Sequence, residues 1–179
     1  MTERERRSNA DAGAIDRVQG AVDGTAAGPV LPPGTETERY VRLRRRFVST
    51  PDRAYRAFTD PEEIIRWFCS RVEDGSLAVG TRSTLVWPTD RLWWEIVEAE
   101  PDRRVVIRWP WLKNRLVTTI TITIDQVGYS SRIRLEDGPF PITEPGALDA
   151  WAEALEGWSE ALAGLRAYLD YNVDLRMGE

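Results

Sequence analysis

The sequence predicts an α+β fold, a curved seven-stranded antiparallel sheet around one long C-terminal helix, with two short helices after the first strand. Three observations carry this expectation. Between Pro145 and Tyr171 the residues Leu148, Trp151, Leu155, Trp158, Leu162, Leu165 and Leu169 recur at alternating steps of three and four, the spacing of one helix face. From Arg71 onward the apolar period changes to two, with turn residues between the runs. A sheet with one apolar face and one strongly apolar helix cover each other in the simplest way available.

The elements follow in order. Residues 1–38 are rich in Gly, Ala, Thr and charge and poor in large apolar side chains, so a disordered N-terminal tail is expected, followed by one domain over 39–176. The first strand is expected from Tyr40 to Val48, where Val41, Leu43 and Phe47 alternate onto one face that Arg45 shares. Pro51 and Asp52 open a short helix with Ser49 or Thr50 as cap, and Asp60-Pro61 ends it and starts a second, anchored by Ile64, Ile65, Trp67 and Phe68. Strands are expected at 71–74, 80–88, 92–100, 103–109, 115–125 and 128–136. In the fifth of these, Leu116, Thr118, Ile120, Ile122 and Ile124 point one way, and Ile133 and Leu135 continue that inner face in the sixth. Gly138-Pro139-Phe140-Pro141 reads as the connection to the long helix, whose first turn holds Pro145 with Glu144 or Thr143 as cap. That helix carries a second stripe, one position before the large one, made only of Ala147, Ala150, Ala154, Gly157, Ala161 and Gly164.

The composition excludes several function classes. A net charge of −5 and a pI of about 5.0 argue against a nucleic-acid or anionic-membrane partner. There is no histidine, which removes the commonest general base and metal ligand, and the single cysteine, Cys69, allows no disulfide or thiolate cluster within the chain. No catalytic residue, metal or cofactor is assigned. No apolar run approaches the ~20 residues of a membrane span, and no apolar signal segment is present, so the cytoplasm is the expected address.

Four further stretches carry information in their order and spacing: Phe47-Val48-Ser49-Thr50-Pro51; Ala57-Phe58-Thr59-Asp60-Pro61-Glu62 with Arg66-Trp67-Phe68; Ile96-Val97-Glu98-Ala99-Glu100-Pro101 with Val105-Val106-Ile107-Arg108-Trp109; and Gly157-Trp158 with Leu162, Leu165 and Tyr168-Leu169. Together with the order of elements they resemble the START-like (SRPBCC) helix-grip superfamily, and more narrowly the domain of activators of the heat-shock-protein-90 ATPase and their bacterial relatives. The resemblance spans residues 40–176. It departs at Trp94, where many relatives have a small residue, and at Leu135-Glu136-Asp137-Gly138, where many have a histidine-containing loop. It implies a hydrophobic cavity between sheet and helix, without implying an enzyme.

The stripe of small residues leaves two readings, a sheet backbone in close approach or a ligand in the space. On the second reading Ala150, Ala154 and Gly157 border a pocket whose far wall includes Trp87, Trp109 and Ile122. Trp151 belongs to the same lining, and Phe140 and Trp67 form the rim of an entrance at the Pro145 end of the helix. Arg45 is either an anchor for an anionic group of the ligand or half of an ion pair at the sheet rim, the second being favoured because buried charges are usually paired. Trp93 and Trp94 face opposite sides of a strand, so at most one lines the cavity. Glu95, Glu98 and Glu100 share a face and are solvated if it is the outer one. The function expected is non-enzymatic binding of a small hydrophobic molecule in this cavity. Two alternatives stand beside it: a cochaperone-like regulator with heat-shock protein 90 as partner, without the additional N-terminal domain of the eukaryotic activators, and a cyclase- or hydrolase-like enzyme using the same cavity.

Overall fold

The computed structural model describes residues 37–73 and 76–176, all within the unit Gly34–Glu179. The expected tail falls, up to residue 36, outside the described residues. Seven strands form one sheet: β1 (Glu38–Phe47), β2 (Arg71–Glu73), β3 (Arg82–Val86), β4 (Arg91–Glu100), β5 (Arg104–Trp111), β6 (Leu116–Val127) and β7 (Ser130–Pro141). Their order is β1-β7-β6-β5-β4-β3-β2, with every neighbouring pair antiparallel. Helices α1 (Pro51–Thr59) and α2 (Pro61–Ile64) follow β1, and α3 (Ala147–Tyr171) follows β7. This is the sheet-and-helix arrangement that the periodicities predict, and the helix-grip fold that the resemblance implies.

Alternation builds the inner face. Val105, Ile107 and Trp109 in β5, Thr118, Ile120, Ile122 and Ile124 in β6, and Ile133 and Leu135 in β7 are all buried, each at a step of two. Two bulges adjust it. In β4 the register shifts between Ile96 and Glu98, so Glu95, Glu98 and Glu100 share the outer face despite the odd step between the first two. There they pair with Arg82 (3.1 Å) and Arg108 (3.8 Å), with Arg104 (3.1 Å) and with Arg103 (3.2 Å) respectively. In β7 the step from Asp137 to Phe140 is three residues where the paired step in β1, from Val41 to Arg39, is two, so both side chains are buried. Gly138 sits inside this second bulge, where a Cβ would lie 2.6 Å from the Tyr40 ring and 3.1 Å from the Arg39 carbonyl oxygen.

Four expectations are corrected. β7 does not stop before Gly138 but runs through Pro141, because Pro139 is exposed and the bulge absorbs the interruption. α3 begins at Ala147, since Gly146 takes a left-handed conformation (φ 81°) and caps the helix without a side-chain bond. Arg45 keeps the inner register but is exposed, its Nη1 donating to the Arg44 carbonyl (3.0 Å); on the edge strand a guanidinium reaches water over the free edge. Ile65, expected as an anchor, is 37% exposed at the end of α2.

The buried face of α3 also changes along its length. In the first half the residues with no exposure are Ala147, Ala150 and Ala154, while Leu148 is 52% exposed and Trp151 and Leu155 are half-buried. In the second half Trp158, Leu162, Leu165, Tyr168 and Leu169 are buried. Side-chain bonds fasten the segment after α1 to this core. Trp67 Nε1 donates to the Ala57 carbonyl (2.9 Å), the Tyr168 hydroxyl donates to Glu63 (2.6 Å), and Arg176 donates to the carbonyls of Cys69 (2.6 Å) and Ile65 (2.8 Å). The result fixes Phe68, the residue between Trp67 and Cys69, over the middle of α3.

Candidate functional site

Between the β3–β4 turn, the start of β4, the end of β5 and the middle of α3 lies a cavity of about 540 Å³, within the range of small-molecule sites. Its walls are the rings of Phe68, Trp87, Trp109, Trp111 and Trp158. Pro88, Thr89 and Asp90, from the turn between β3 and β4, form its mouth with Leu92, and Gly157 supplies the helix side.

Each ring is held by others. Phe68 lies parallel to Trp158 (5.7 Å, 10°) and edge-on to Trp87 (5.3 Å, 85°). Trp109 is within 6.4 Å of Trp87, Trp111 and Trp158. Hydrogen bonds set the indole orientations. Trp87 Nε1 donates to the Phe68 carbonyl (2.6 Å), Trp111 Nε1 to Thr118 Oγ1 (3.0 Å) and Trp158 Nε1 to Asp137 Oδ2 (3.0 Å). Trp109 Nε1 is buried without a partner among the described residues.

Asp137 is the unusual member. Its carboxyl is fully buried and Oδ1 has no partner of normal geometry, although the Thr118 hydroxyl lies close enough to favour the charged form. Burial dominates and pushes its pKa up to about 6, against the opposing effects of the Thr118 and Trp158 hydrogen bonds. No ion pair reaches it among the described residues. Cys69 is a buried thiol whose pKa burial pushes up to about 11, so it is not poised as a nucleophile. Among the described residues no three His, Cys, Asp or Glu side chains gather as a metal site, and no helix is long and apolar enough to cross a membrane.

Of the residues expected at the cavity, Trp87, Trp109 and Gly157 line it. Ile122, Ala150 and Ala154 have no exposure and belong to the packed core. Trp151 is half-buried against that core, outside the lining. Phe140 and Trp67 are not rim residues: Phe140 is buried against Trp111 (5.8 Å), and Trp67 sits behind Phe68 (5.0 Å). Arg45 is on the surface, away from the lining. The mouth therefore lies at the β3–β4 turn beside the middle of α3, not at the Pro145 end. Trp111 could have been found from Trp109 by the step of two along β5, and Asp137 by continuing the inner register of Ile133 and Leu135. Phe68 and the β3–β4 turn had no such signal.

Comparison with known proteins agrees with the fold. The sequence model of the family described as "Activator of Hsp90 ATPase homolog 1-like protein" matches residues 49–170. No curated protein matches the chain. Among solved structures the chain is similar to protein MLL2253 from Mesorhizobium loti, at 25% identity and a TM-score of 0.65, over 76% of this chain and all of that one. It is similar to CalU16 from Micromonospora echinospora at 23% identity and a TM-score of 0.61, over 78% of this chain and 80% of that one. The fold is shared too with Aha1 from Colwellia psychrerythraea, described as a dimer, at 15% identity and a TM-score of 0.64, over 74% and 97% of the two chains.

Proposed function

The chain belongs to the family of activator of Hsp90 ATPase homolog 1-like proteins, and from that premise we propose that it is a non-enzymatic binding protein for a small hydrophobic molecule held in the cavity beside Gly157. One observation carries the reading: a cleft of about 540 Å³, open at the β3–β4 turn, lies between five aromatic rings. Apolar walls on several sides of a concave space are what a small hydrophobic molecule can cover. The rings that border it are fixed by hydrogen bonds and by one another, so the site is formed before a ligand arrives, and little ordering opposes binding.

The experiment is titration of the full chain with the uncharged fluorescent dye N-phenylnaphthylamine, read by dye emission and by quenching of tryptophan. Saturable binding with a micromolar dissociation constant, on the order of −8 kcal/mol, is expected. Wild-type protein that binds no dye while folded would overturn the reading.

The family match favours one further reading, a regulatory contact with heat-shock protein 90. The likeness to the Colwellia Aha1, at 15% identity, concerns the fold. A change in the ATPase rate of the purified chaperone on adding this chain supports that contact, and an unchanged rate at saturating concentration removes it.

A further inference from the structure

The chemistry of the cavity walls favours one charge of ligand. Among the described lining residues the only charged side chain is Asp90, exposed at the mouth, where Thr89 Oγ1 donates to it (3.0 Å). A second carboxyl, Asp137, stands directly behind the wall, joined to Trp158 and, through Thr118, next to Trp111. Among the described lining residues no arginine or lysine balances them.

The indoles add to this asymmetry. An aromatic ring is negative on its face and positive at its edge, and the N–H is its most positive point. Three of the four indoles that line the cavity have this N–H bonded to a protein acceptor: the Phe68 carbonyl, Thr118 and Asp137. The fourth, on Trp109, is buried from solvent. The donors that could hold an anion are thus occupied or covered, while ring surface remains for a cation to approach.

We infer that the cavity selects an organic cation with an aromatic or apolar body, its positive group held among the tryptophan rings between the carboxylates of Asp90 and Asp137. This rests on the reading of the cavity as a binding site and adds the charge of its ligand. It also replaces the role considered for Arg45, since that guanidinium is on the surface and offers no anchor for an anion. At about pH 7.5 Asp137, with its pKa at about 6, is mostly ionised, so both carboxylates contribute.

The test uses two probes of one shape: naphthalene carrying a trimethylammonium group and naphthalene carrying a sulfonate. Each competes with bound N-phenylnaphthylamine on the full chain at low salt. The expected result is displacement by the cation at a concentration at least about ten-fold lower than by the sulfonate, a ratio that shrinks as salt screens the mouth. Asp90→Asn should narrow the ratio several-fold with an unchanged melting temperature, and Asp137→Asn should narrow it as well. Since Asp137→Asn alters a buried site, the exposed Asp90→Asn keeps the test decisive if the first variant does not fold.

Equal displacement, or better displacement by the sulfonate, overturns the inference while dye binding leaves the cavity reading standing. A cation preference that both variants leave unchanged overturns the assignment to these carboxylates. Absence of dye binding in the wild type overturns both readings together.

Discussion

Ala154 and Gly157 stand one turn apart on α3, both from the stripe of small residues, and they do opposite things. Around Ala150 and Ala154 the small side chains are fully buried, and the helix lies close on its neighbours. At Gly157 a Cβ would meet nothing within 4 Å, and the missing side chain leaves the cavity open. Small residues of one stripe therefore mark close packing in one half and empty space in the other. What differs is the opposing surface. The first half is closed over by its neighbours, while the middle faces the β3–β4 turn and the end of β5, where the tryptophan rings leave space. A small residue on a helix reports that something else occupies its place, and only the partner says what.

Substitutions in the two halves sharpen this contrast. The largest effect is expected at Trp158, which is 4% exposed, lies flat on Phe68 and donates to Asp137. Trp158→Ala should cost ~3–5 kcal/mol in urea unfolding, the range for a buried aromatic truncation. A cost below ~1 kcal/mol would mean the aromatic half contributes little to the core.

A smaller effect is expected from Asp137, and its sign follows from the direction of the shift. Burial raises its folded-state pKa from 3.8 to about 6, so the folded chain binds the proton more tightly than the unfolded one. Stability from this group is greatest below the lower value, falls as pH rises between the two, and stays reduced above the upper. The shift corresponds to at most about 3 kcal/mol. Asp137→Asn removes that dependence, so the variant should gain on the wild type by up to this amount between about pH 4 and pH 7.5. A difference between the two proteins that does not change with pH would contradict the assignment. The smallest effect is expected outside both halves: removing residues 1–36 should lower the melting temperature by less than about 5 °C, because they hold few apolar anchors.

Much of the fold is legible in the sequence because periodicity is a geometric signal. The step of two in Leu116 to Ile124 and the step of three and four after Pro145 each specify a face, and the faces are self-consistent. Errors arise where a local signal is ambiguous. Gly138-Pro139 looks like a chain break, yet a bulge beside β1 accommodates it within β7. Arg45 has the correct register, but register on an edge strand does not decide exposure. The site is less legible than the fold because a cavity is a property of what fails to meet. Trp87 and Trp109 could be placed by facing and size, whereas Ala150, Ala154 and Ile122 share the same faces and are closed over by neighbours that periodicity does not locate. Asp137 was readable as a carboxyl on an apolar register, but its bond to Trp158 depends on how the helix sits over the sheet.

The central claim is that the space at Gly157 is open and the space at Ala154 is not. Placing leucine at each position in turn, and measuring dye affinity and urea stability on both variants, tests it most directly. Gly157→Leu should abolish N-phenylnaphthylamine binding while holding or raising stability by up to ~1 kcal/mol, since an exposed helical glycine is replaced by a better helix former. Ala154→Leu should overpack the core, cost ~1–3 kcal/mol and leave dye affinity within a few-fold of the wild type. The reverse pattern, with binding lost at Ala154→Leu and retained at Gly157→Leu, would contradict the account.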